Sequence, residues 1–461
     1  MSRRSARGRL RRLACPIALL ALQTAPPMAA PSFVAGVDFG TSNTAIAVAG
    51  ADPTPRVAAF TMLQGTTPSF RSLLFFDPDE QVVNAPVNYH AGPDGIEAYL
   101  DALGEGRLIQ SFKTHLTATS LGRTQIGPHA LDLDQLLILF LRRFRDRSEA
   151  ALQSEVRAAV FGRPVQFAGA DETADSDRAQ RRLEQAGRAA GFDVVSVELE
   201  PIAAAYHHEQ RLDREELALV ADFGGGTTDF CVMRLGPAHR EQAERQRDIL
   251  ATGGIGIAGD NLDAAIIENL VAPALGKGSC YREMGKRLPI PASYYHKLSH
   301  WHQLSFLRSA RTRSELERLA KLADKPDAIE ALMELIEDNQ GFYLHKSVET
   351  AKIAISTRDE TEFVYDNGGR AIRGRLRRAD FDRWVADDVA AIAGCLDATL
   401  ERAGLRPEQV GQVFMTGGTA FVPCIRGEFE RRFGREKLAG GDELLSIASG
   451  LALRGRQAVR G

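Results

Sequence analysis

Cysteine is scarce in this sequence of 461 residues, and the five cysteines that occur are far apart. No two of them form a CxxC pair, so the sequence predicts neither a zinc site nor a disulfide framework. Reduced thiols fit a cytosolic protein better than a secreted one. The positions are Cys15, Cys231, Cys280, Cys395 and Cys424.

Long apolar runs and an excess of charge of one sign are also missing. After residue 32, no window of about 18 apolar residues occurs that would span a membrane. The 57 basic and 60 acidic residues give a formal net charge of −3, which provides no field for a nucleic-acid backbone. We therefore expect no nucleic-acid partner and no membrane span in the body of the chain. The length and the 44% hydrophobic content indicate a soluble protein of roughly two to four structural units.

Two similar glycine-rich stretches are the strongest pattern that is present. Residues 32–50, SFVAGVDFGTSNTAIAVAG, contain two apolar runs separated by a polar turn, which predicts a β-hairpin. Residues 217–236, LALVADFGGGTTDFCVMRLG, repeat the design. Such self-similarity indicates a duplicated fold, with two lobes that each open on an equivalent hairpin.

Between and after the hairpins, apolar runs alternate with helical patterns, which favours α/β layers with partly parallel sheets. We expect a strand leading into a loop over 158–167, a helix at 176–192, then a strand, a turn at Glu200 and Pro201, and a second helix. A mostly helical region at 259–358, one long helix at 378–405, the strand QVFMTGG and the helix DELLSIASGLALR should follow.

The glycines allow a specific chemistry. Backbone amides in a glycine-rich turn can surround an anion such as phosphate, because no Cβ blocks its approach. An aspartate cannot bind phosphate directly, so Asp38 and Asp222 imply a hard cation between them, namely Mg²⁺. Taken alone, each stretch is equally well explained as an ordinary hairpin turn. The repetition of the motif, and a third glycine turn at 415–423, MTGGTAFVP, argue against that explanation.

From about residue 33 to 458, these motifs resemble the actin-like ATPase domain shared by actin, sugar kinases and the seventy-kilodalton heat-shock chaperones. GVDFGTSNT and VADFGGGTTDF are similar to its two phosphate loops and FMTGGTAFVP to its adenosine loop, while GRPVQF, RRLEQAGRAAGF and ELEPIAAAYHH follow in the chaperone order. The resemblance implies an α/β, two-lobed actin-like ATPase fold, made of duplicated ribonuclease H-like domains with smaller subdomains inserted in each lobe. The implied divisions are a leader at 1–32, lobe I at 33–215, lobe II at 216–440, and a C-terminal helix at 441–461 that returns to lobe I.

The resemblance also implies roles at the reacting end of a bound nucleotide. Asp38 and Asp222 would hold Mg²⁺, and Glu200 would position the metal shell and the attacking water. Thr227 and Asp229 would lie beside the γ-phosphate, with Asp229 as the proton acceptor, and Lys113 would be the catalytic lysine. The residues that would contact the phosphates are Gly40, Thr41, Ser42, Asn43, Gly224, Gly225, Gly226 and Thr227.

For the nucleoside, the resemblance implies one helix and one opposing loop. The helix SVETAKIAIS would contribute Glu349, Lys352 and Ser356, and the loop would contribute Gly417, Gly418 and Thr419. Typical chaperones have arginines on both faces of the adenine. This chain has Ile353 and Phe421 there, which would form an apolar and aromatic sandwich.

The implied function is ATP binding and Mg²⁺-dependent hydrolysis that drives lobe closure, with ATP, ADP and a protein client as partners. The closest resemblance is to the YegD-like chaperone-like proteins, and we expect no peptide-binding domain after the ATPase. A small-metabolite kinase and a nucleotide-dependent scaffold or filament subunit remain as alternatives.

Three other sequence features give weaker indications of function than the glycine turns do. GIGIAG at 254–259 satisfies the GxGxxG dinucleotide pattern, although a turn behind the phosphate loop explains it better. His296, His300 and His302 could suit a transition metal, but a polar helix face is the simpler interpretation. The arginine-rich leader is a signal peptide, a disordered leader or a wrongly assigned start. We favour the last two and a cytoplasmic location, with periplasmic export as the lesser alternative, because ATP is a cytoplasmic nucleotide.

Overall fold

A computed structural model describes residues 33–460, apart from 51–53, 63–64, 103–104, 120–121, 168, 171–172, 210–211, 241, 243–244, 338–339, 367–369 and 440–445. The predicted leader, residues 1–32, lies outside the described residues. The first residues of the predicted C-terminal helix, up to 445, also lie outside them.

The strands fall into two sets, one in each half of the chain. Those of the first half are Val34–Phe39 (β1), Asn43–Ala49 (β2), Arg56–Val57 (β3), Phe60–Met62 (β4), Gly65–Thr67 (β5), Phe70–Arg71 (β6), Leu73–Phe76 (β7), His90–Ala91 (β8), Arg107–Gln110 (β9), Thr124–Ile126 (β10), His129–Leu131 (β11), Ala158–Arg163 (β12) and Val194–Leu199 (β13). Those of the second half are Glu216–Phe223 (β14), Thr228–Leu235 (β15), Ile249–Ile255 (β16), Cys280–Glu283 (β17), Lys286–Pro289 (β18), Glu360–Tyr365 (β19), Ile372–Arg377 (β20), Gln412–Thr416 (β21) and Leu438–Ala439 (β22).

Helices cover these strands in both halves. They are Gly92–Asp101 (α1), Leu133–Leu152 (α2), Thr173–Ala189 (α3), Glu200–Glu209 (α4), Pro237–Arg240 (α5), Gly259–Ile266 (α6), Ala272–Ala274 (α7), Ala292–Ser299 (α8), Ala310–Leu322 (α9), Pro326–Glu337 (α10), Gly341–Thr357 (α11), Arg378–Trp384 (α12), Ala386–Arg402 (α13), Pro423–Phe433 (α14) and Ser446–Arg460 (α15). Short 3₁₀ helices join several of them, including Phe112–His115 and Gly418–Phe421.

The two main sheets have the same topology. In the first, β1 pairs antiparallel with β2 and parallel with β12, and the order is β13-β12-β1-β2-β3. In the second, β14 pairs antiparallel with β15 and parallel with β21, and the order is β16-β15-β14-β21-β22. Each sheet therefore contains one hairpin flanked by an antiparallel strand on one side and two parallel strands on the other. This confirms the predicted α/β fold with two equivalent lobes.

Smaller sheets are inserted between the elements of each main sheet. The pairs β4-β5 and β10-β11 and the sheet β8-β7-β9 lie in the first lobe, while β17-β18 and β19-β20 lie in the second. The hairpin β17-β18 lies within the region that we expected to be mostly helical. The side chains of each lobe form a separate apolar core, which for the first lobe is centred on aromatic residues such as Phe39, Phe70 and Phe140.

The structure differs from the sequence expectations at two helices. The helix expected at 378–405 is broken at Val385, and α13 restarts with Asp387 and Asp388 in its first turn, where carboxylates interact favourably with the helix dipole. The expected turn at Glu200 and Pro201 is absent, because α4 begins at Glu200 itself. Proline is well tolerated in the first turn of a helix, since it lacks only an amide that would have no partner there.

Helices α4 and α15 cross between the two main sheets. They share an apolar cluster with β12 and β14 that includes Tyr206, Val220 and Leu451. A Cβ added to Gly450 would lie 1.7 Å from the carbonyl oxygen of Ala203, so the crossing requires glycine. The other face of α15 packs on β1 and β2, where Ala448 and Ala452 meet Ala45 and Ala47. The helix pair thus forms the joint between the lobes.

Within the described ranges, no helix is long and apolar enough to cross a membrane. The four cysteines that lie in those ranges are free thiols.

Candidate functional site

The two glycine-rich turns face each other across the cleft between the lobes. The first glycine turn, residues 40–42, joins β1 to β2, and the second, residues 224–227, joins β14 to β15. A Cβ built on Gly225 would lie 3.2 Å from Ser42 Oγ, and one built on Gly226 would lie 3.6 Å from Thr41 Oγ1. Both turns are partly exposed. Their backbone amides are therefore close enough to contact one small ligand from two sides.

Backbone contacts fix the shape of each turn. A Cβ on Gly40 would lie 2.2 Å from the carbonyl oxygen of Asn43, so only glycine fits there. The hydroxyl of Ser72 donates to the carbonyl oxygen of Gly40 at 2.7 Å. On the other lobe, the amide of Asp260 donates to the carbonyl oxygen of Gly225 at 2.8 Å. These contacts fix the position of each turn within its own lobe.

A buried lysine and glutamate lie beside the turns. The 3₁₀ helix Phe112–His115 carries Lys113, and its start is set by Ser111, whose φ of 61° redirects the chain after β9. Lys113 Nζ lies 2.6 Å from Oε1 of Glu200, the first residue of α4, and both side chains are buried. The pair is charge-assisted and removed from water, so its geometry is well defined.

Asp222 and Asp229 are opposite each other in the second hairpin and have different partners. Thr416, at the end of β21, donates its hydroxyl to Asp222 Oδ1 at 2.5 Å. The backbone amide of Val165, from the other lobe, donates to Asp229 Oδ1 at 2.6 Å. Asp229 Oδ2 is buried without a hydrogen-bond partner of normal geometry among the described residues. The Thr227 side chain also hydrogen-bonds this carboxyl group, and the buried oxygen can accept a further donor such as a water or a ligand.

Burial and neighbouring carboxylates raise the pKa values of three aspartates in the site. Burial and the charge of Glu200 raise the pKa of Asp38 well above its usual value, although Lys113 opposes the shift. The same two causes raise the pKa of Asp222 to about 6 and that of Asp229 to about 8. Burial would lower the pKa of Lys113, but the charges of Glu200 and Asp38 outweigh it and raise that pKa. The four carboxyl groups of this cluster (Asp38, Glu200, Asp222 and Asp229) carry more negative charge than Lys113 alone can balance.

This imbalance fits a hydrated divalent cation. The donors are carboxylate oxygens, which Mg²⁺ prefers, and a cation would offset their mutual repulsion. Among the described residues, no group of three or more histidine, cysteine, aspartate or glutamate side chains could hold a metal ion directly. Mg²⁺ commonly keeps several waters and takes only one or two carboxylates, so Asp38 and Asp222 suit it.

The residues predicted for the nucleoside converge near the second turn. Lys352 on α11 pairs with Asp263 on α6 at 2.9 Å. A Cβ on Gly259 would lie 2.9 Å from Thr419 Oγ1. Gly417 has φ of 83°, and a Cβ there would lie 2.0 Å from the carbonyl oxygen of Phe223, so this position also requires glycine. Helices α6 and α11 and the loop after β21 are therefore adjacent.

The other predicted nucleoside residues lie in the same region. Gly418 follows Gly417 at the start of the 3₁₀ helix Gly418–Phe421. Glu349 and Ser356 are on α11, where Ser356 Oγ donates to the carbonyl oxygen of Lys352. Ile353 and Phe421, the predicted faces of the base, are 63% and 51% exposed. Exposure of two large apolar side chains at these positions is consistent with a platform for a flat ligand.

Several residues of the site were not assigned from the sequence. Thr416 lies within the FMTGGTAFVP motif but was given no role there, and its contact with Asp222 joins strands far apart in the chain. Asp260 and Asp263 follow the GIGIAG motif, and burial raises the pKa of both, to about 6 for Asp263. Arg71 was also missed. The available signal was its position as a charged residue in the short strand β6, which pairs with β2 next to the first glycine turn.

The weaker motifs have structural roles. Gly254 of GIGIAG lies in β16, not in the expected turn, and pairs with Asp229, whose Oδ1 a Cβ on Gly254 would approach to 2.8 Å. His296 and His300 have ring centroids 4.3 Å apart, and His300 Nδ1 is 2.7 Å from the carbonyl oxygen of His296. This contact lies at the C-terminal end of α8, where His300 follows the last helical residue.

Comparison with known proteins gives a family match and individual relatives that agree with each other. The model of the family described as "Hsp70 protein" matches residues 34–277 and 332–458. The protein named "Chaperone protein DnaK" of Halobacterium salinarum is 26% identical over 438 residues, which cover 92% of this chain and 55% of that relative. The protein of the same name from Thermosipho melanesiensis is 25% identical over 433 residues, which cover 92% of this chain and 59% of that relative. The chain thus spans less than two thirds of the length of these relatives.

Proposed function

This chain belongs to the Hsp70 protein family, and we propose that it binds ATP with Mg²⁺ in the cleft between its lobes and hydrolyses the γ-phosphate. Members of the family bind ATP with Mg²⁺ in general. The observation that carries the proposal is the buried Lys113–Glu200 pair beside Asp38, Asp222 and Asp229, at the place where the two glycine turns meet.

The turns are the proposed phosphate site. The amides of Gly40 and Thr41 from one lobe and of residues 224–226 from the other would donate to the β- and γ-phosphates, and the hydroxyls of Ser42 and Thr227 and the amide of Asn43 would complete the set. Asp38 and Asp222 would hold the hydrated Mg²⁺. When bound, the cation neutralises charge on the phosphates and lowers the cost of the charge that develops during transfer.

Lys113, Glu200 and Asp229 are the proposed reacting residues. Lys113 contributes positive charge to stabilise the attacking water and the transferring phosphoryl group. Glu200 fixes the position of the lysine through its 2.6 Å contact. Burial and the charge of Glu200 raise the pKa of Asp229 to about 8. In its ionised form Asp229 is therefore a stronger base than an ordinary carboxylate and is suited to accept a proton from water.

The nucleoside would lie between α11 and the loop after β21. Glu349, Lys352 and Ser356 are proposed to contact the ribose and base from one side, and Gly417, Gly418 and Thr419 from the other. Lobe closure on the nucleotide would then act as a conformational switch about the joint between α4 and α15. We propose lobe I at 33–215, lobe II at 216–440 and a helix from 441 returning to lobe I. We also propose that the switch acts on a protein client, as in the chaperone branch of the family.

Replacement of Phe421 by alanine is expected to weaken ATP binding by about 5- to 150-fold, because an aromatic face that stacks on a base contributes about 1–3 kcal/mol. The side chain is 51% exposed, so its removal should leave the melting temperature unchanged. Calorimetric titration with ATP and with inorganic triphosphate measures the effect. The variant should bind triphosphate as the wild-type protein does. Equal loss for both ligands would contradict stacking on the base.

The proposed function is tested by phosphate release from ATP with the full chain, with Mg²⁺ present or chelated. We expect slow release that requires Mg²⁺ and is lost in the Asp222→Asn variant. Unchanged release in that variant would contradict the assignment. Release that occurs only when a small metabolite is added, with phosphate transferred to it, would instead support a kinase.

A further inference from the structure

Arg71 spans the cleft between the lobes. It lies in β6, directly opposite Asn43 in the pairing of β6 with β2, and is thus next to the first glycine turn. Its Nη1 donates to Asn43 Oδ1 at 3.3 Å. Its Nη2 lies 3.6 Å from Oε2 of Glu349 on α11, in the other lobe. One guanidinium group therefore contacts both a phosphate-turn residue and a residue of the proposed nucleoside helix.

Both contacts of Arg71 are weak for a charged donor. A charge-assisted hydrogen bond from nitrogen to oxygen is usually about 2.7–2.9 Å long, and both distances here exceed that range. The acceptors are also shared, since Asn43 Oδ1 accepts from Ser69 Oγ at 2.8 Å and Glu349 Oε2 lies 3.2 Å from Lys346 Nζ. The guanidinium group can therefore exchange these contacts for a stronger acceptor at little cost.

The charge of Arg71 reaches both sides of the cleft. Burial would raise the pKa of Glu349, but Arg71, Lys346 and Lys352 outweigh it and lower that pKa. Burial raises the pKa of Asp260, and Lys352, His300 and Arg71 partly oppose the shift. Asp260 is the residue whose amide holds Gly225 of the second glycine turn. Positive charge is thus placed beside both turns, at a less buried point than Lys113, since the Arg71 side chain is 27% exposed.

We propose that Arg71 is a phosphate-binding residue of the cleft, which binds the polyphosphate of ADP or ATP and links it to Glu349 of the opposite lobe. A guanidinium group is always charged, and its planar set of donors matches phosphate oxygens in a bidentate way. The inference rests on the proposed nucleotide site and extends it by one residue. The competing role is a simple tie between the lobes, without contact to the ligand.

The test compares the full-length wild-type protein with Arg71→Gln and Arg71→Lys. Binding of ATP, ADP and adenosine is measured by calorimetry in the presence of Mg²⁺, and melting curves show whether each variant is folded. Arg383→Gln is the matched control, because Arg383 is an exposed arginine on α12 with its carboxylate partner, Asp380, on the same helix. We expect this control to bind all three ligands as the wild-type protein does.

In Arg71→Gln, the dissociation constants for ATP and ADP should rise by about 10- to 100-fold, as for the loss of a hydrogen bond between charged groups. The constant for adenosine should stay within about twofold, since adenosine has no phosphate. Arg71→Lys should restore part of the loss, because it keeps the charge without the planar donor set. This pattern supports the proposal.

Two patterns of binding results would overturn the proposed role of Arg71. Equal weakening for adenosine and ADP would assign Arg71 to the tie between the lobes alone, and unchanged ADP binding would remove it from the site. In both cases the wild-type protein still binds ADP, and the proposed function stands. A wild-type protein that binds neither ATP nor ADP would overturn the proposed function and the role of Arg71 together.

Discussion

Replacement of Lys113 by alanine is expected to lower the rate of ATP hydrolysis by about 100- to 1,000-fold, because it removes a fixed charge aimed at the reacting group. Lys113 is buried, and its ammonium group lies 2.6 Å from Glu200. Loss of one partner leaves a buried charge uncompensated, which costs about 3–5 kcal/mol of folding free energy. Single-turnover hydrolysis and thermal unfolding, measured on the same preparations, check both effects.

A second variant separates chemistry from stability. In Lys113→Ala combined with Glu200→Gln, the buried charge is removed together with its partner, so much of the lost stability should return while hydrolysis stays low. Lys321→Ala, which changes an exposed lysine on α9, is the control and should match the wild-type protein in both assays. Recovery of hydrolysis in the double variant would show that Lys113 acts only by stabilising the fold.

Replacement of Asp229 by asparagine should have opposite effects on activity and stability. Hydrolysis should fall by about 100-fold or more, because the variant lacks the group that accepts a proton from water. The melting temperature of the variant should exceed that of the wild-type protein by about 2–4 °C, because the substitution removes one of several crowded carboxylates. The pKa of Asp229 is raised to about 8 in the folded protein. Its ionisation therefore costs stability as pH rises from the unfolded pKa of about 4 toward that value.

The sign of the pH dependence gives this prediction a further check. The gain in melting temperature of Asp229→Asn over the wild-type protein should be small near pH 3, where the carboxyl group is mostly protonated in both states, and larger near pH 8. Asp213→Asn, at an exposed position before β14, should show no gain at either pH. A variant that melts lower than the wild-type protein at pH 8 would mean that the carboxylate is a net stabilising group, contrary to the crowding seen here.

The resemblance to the seventy-kilodalton chaperones is confirmed by the family match, and three glycine turns carried it. Those turns were predictable because local geometry requires glycine in them. Gly40 closely approaches the carbonyl oxygen of Asn43, and Gly417 has a positive φ. Both predicted hairpins are present. The contact of Lys113 with Glu200 was not predicted, although the resemblance assigned both residues to the site. Local patterns of apolar residues and glycine therefore predicted the main strands and helices and their order, but not the small inserted sheets.

Contacts between distant segments were not predictable in the same way. The bond from Thr416 to Asp222 joins residues 194 positions apart, and no local pattern records it. The ion pair of Arg71 with Glu349 depends on how close the lobes approach. The break at Val385 has no proline or glycine to mark it, and the apolar period continues through it. In each case, tertiary packing decides the outcome, and a single sequence does not contain that information.

The position of α15 in the sequence has a consequence for synthesis of the protein. This helix packs on β1 and β2, yet 396 residues separate the end of β2 at Ala49 from the start of α15 at Ser446. At about 5–20 residues per second, a ribosome needs roughly 20–80 s to make that length of chain. During this time the face of the first sheet that carries Ala45 and Ala47 has no helix to cover it. The first lobe to be made is thus the last to be completed, and the nascent chain exposes an apolar surface that other proteins can bind.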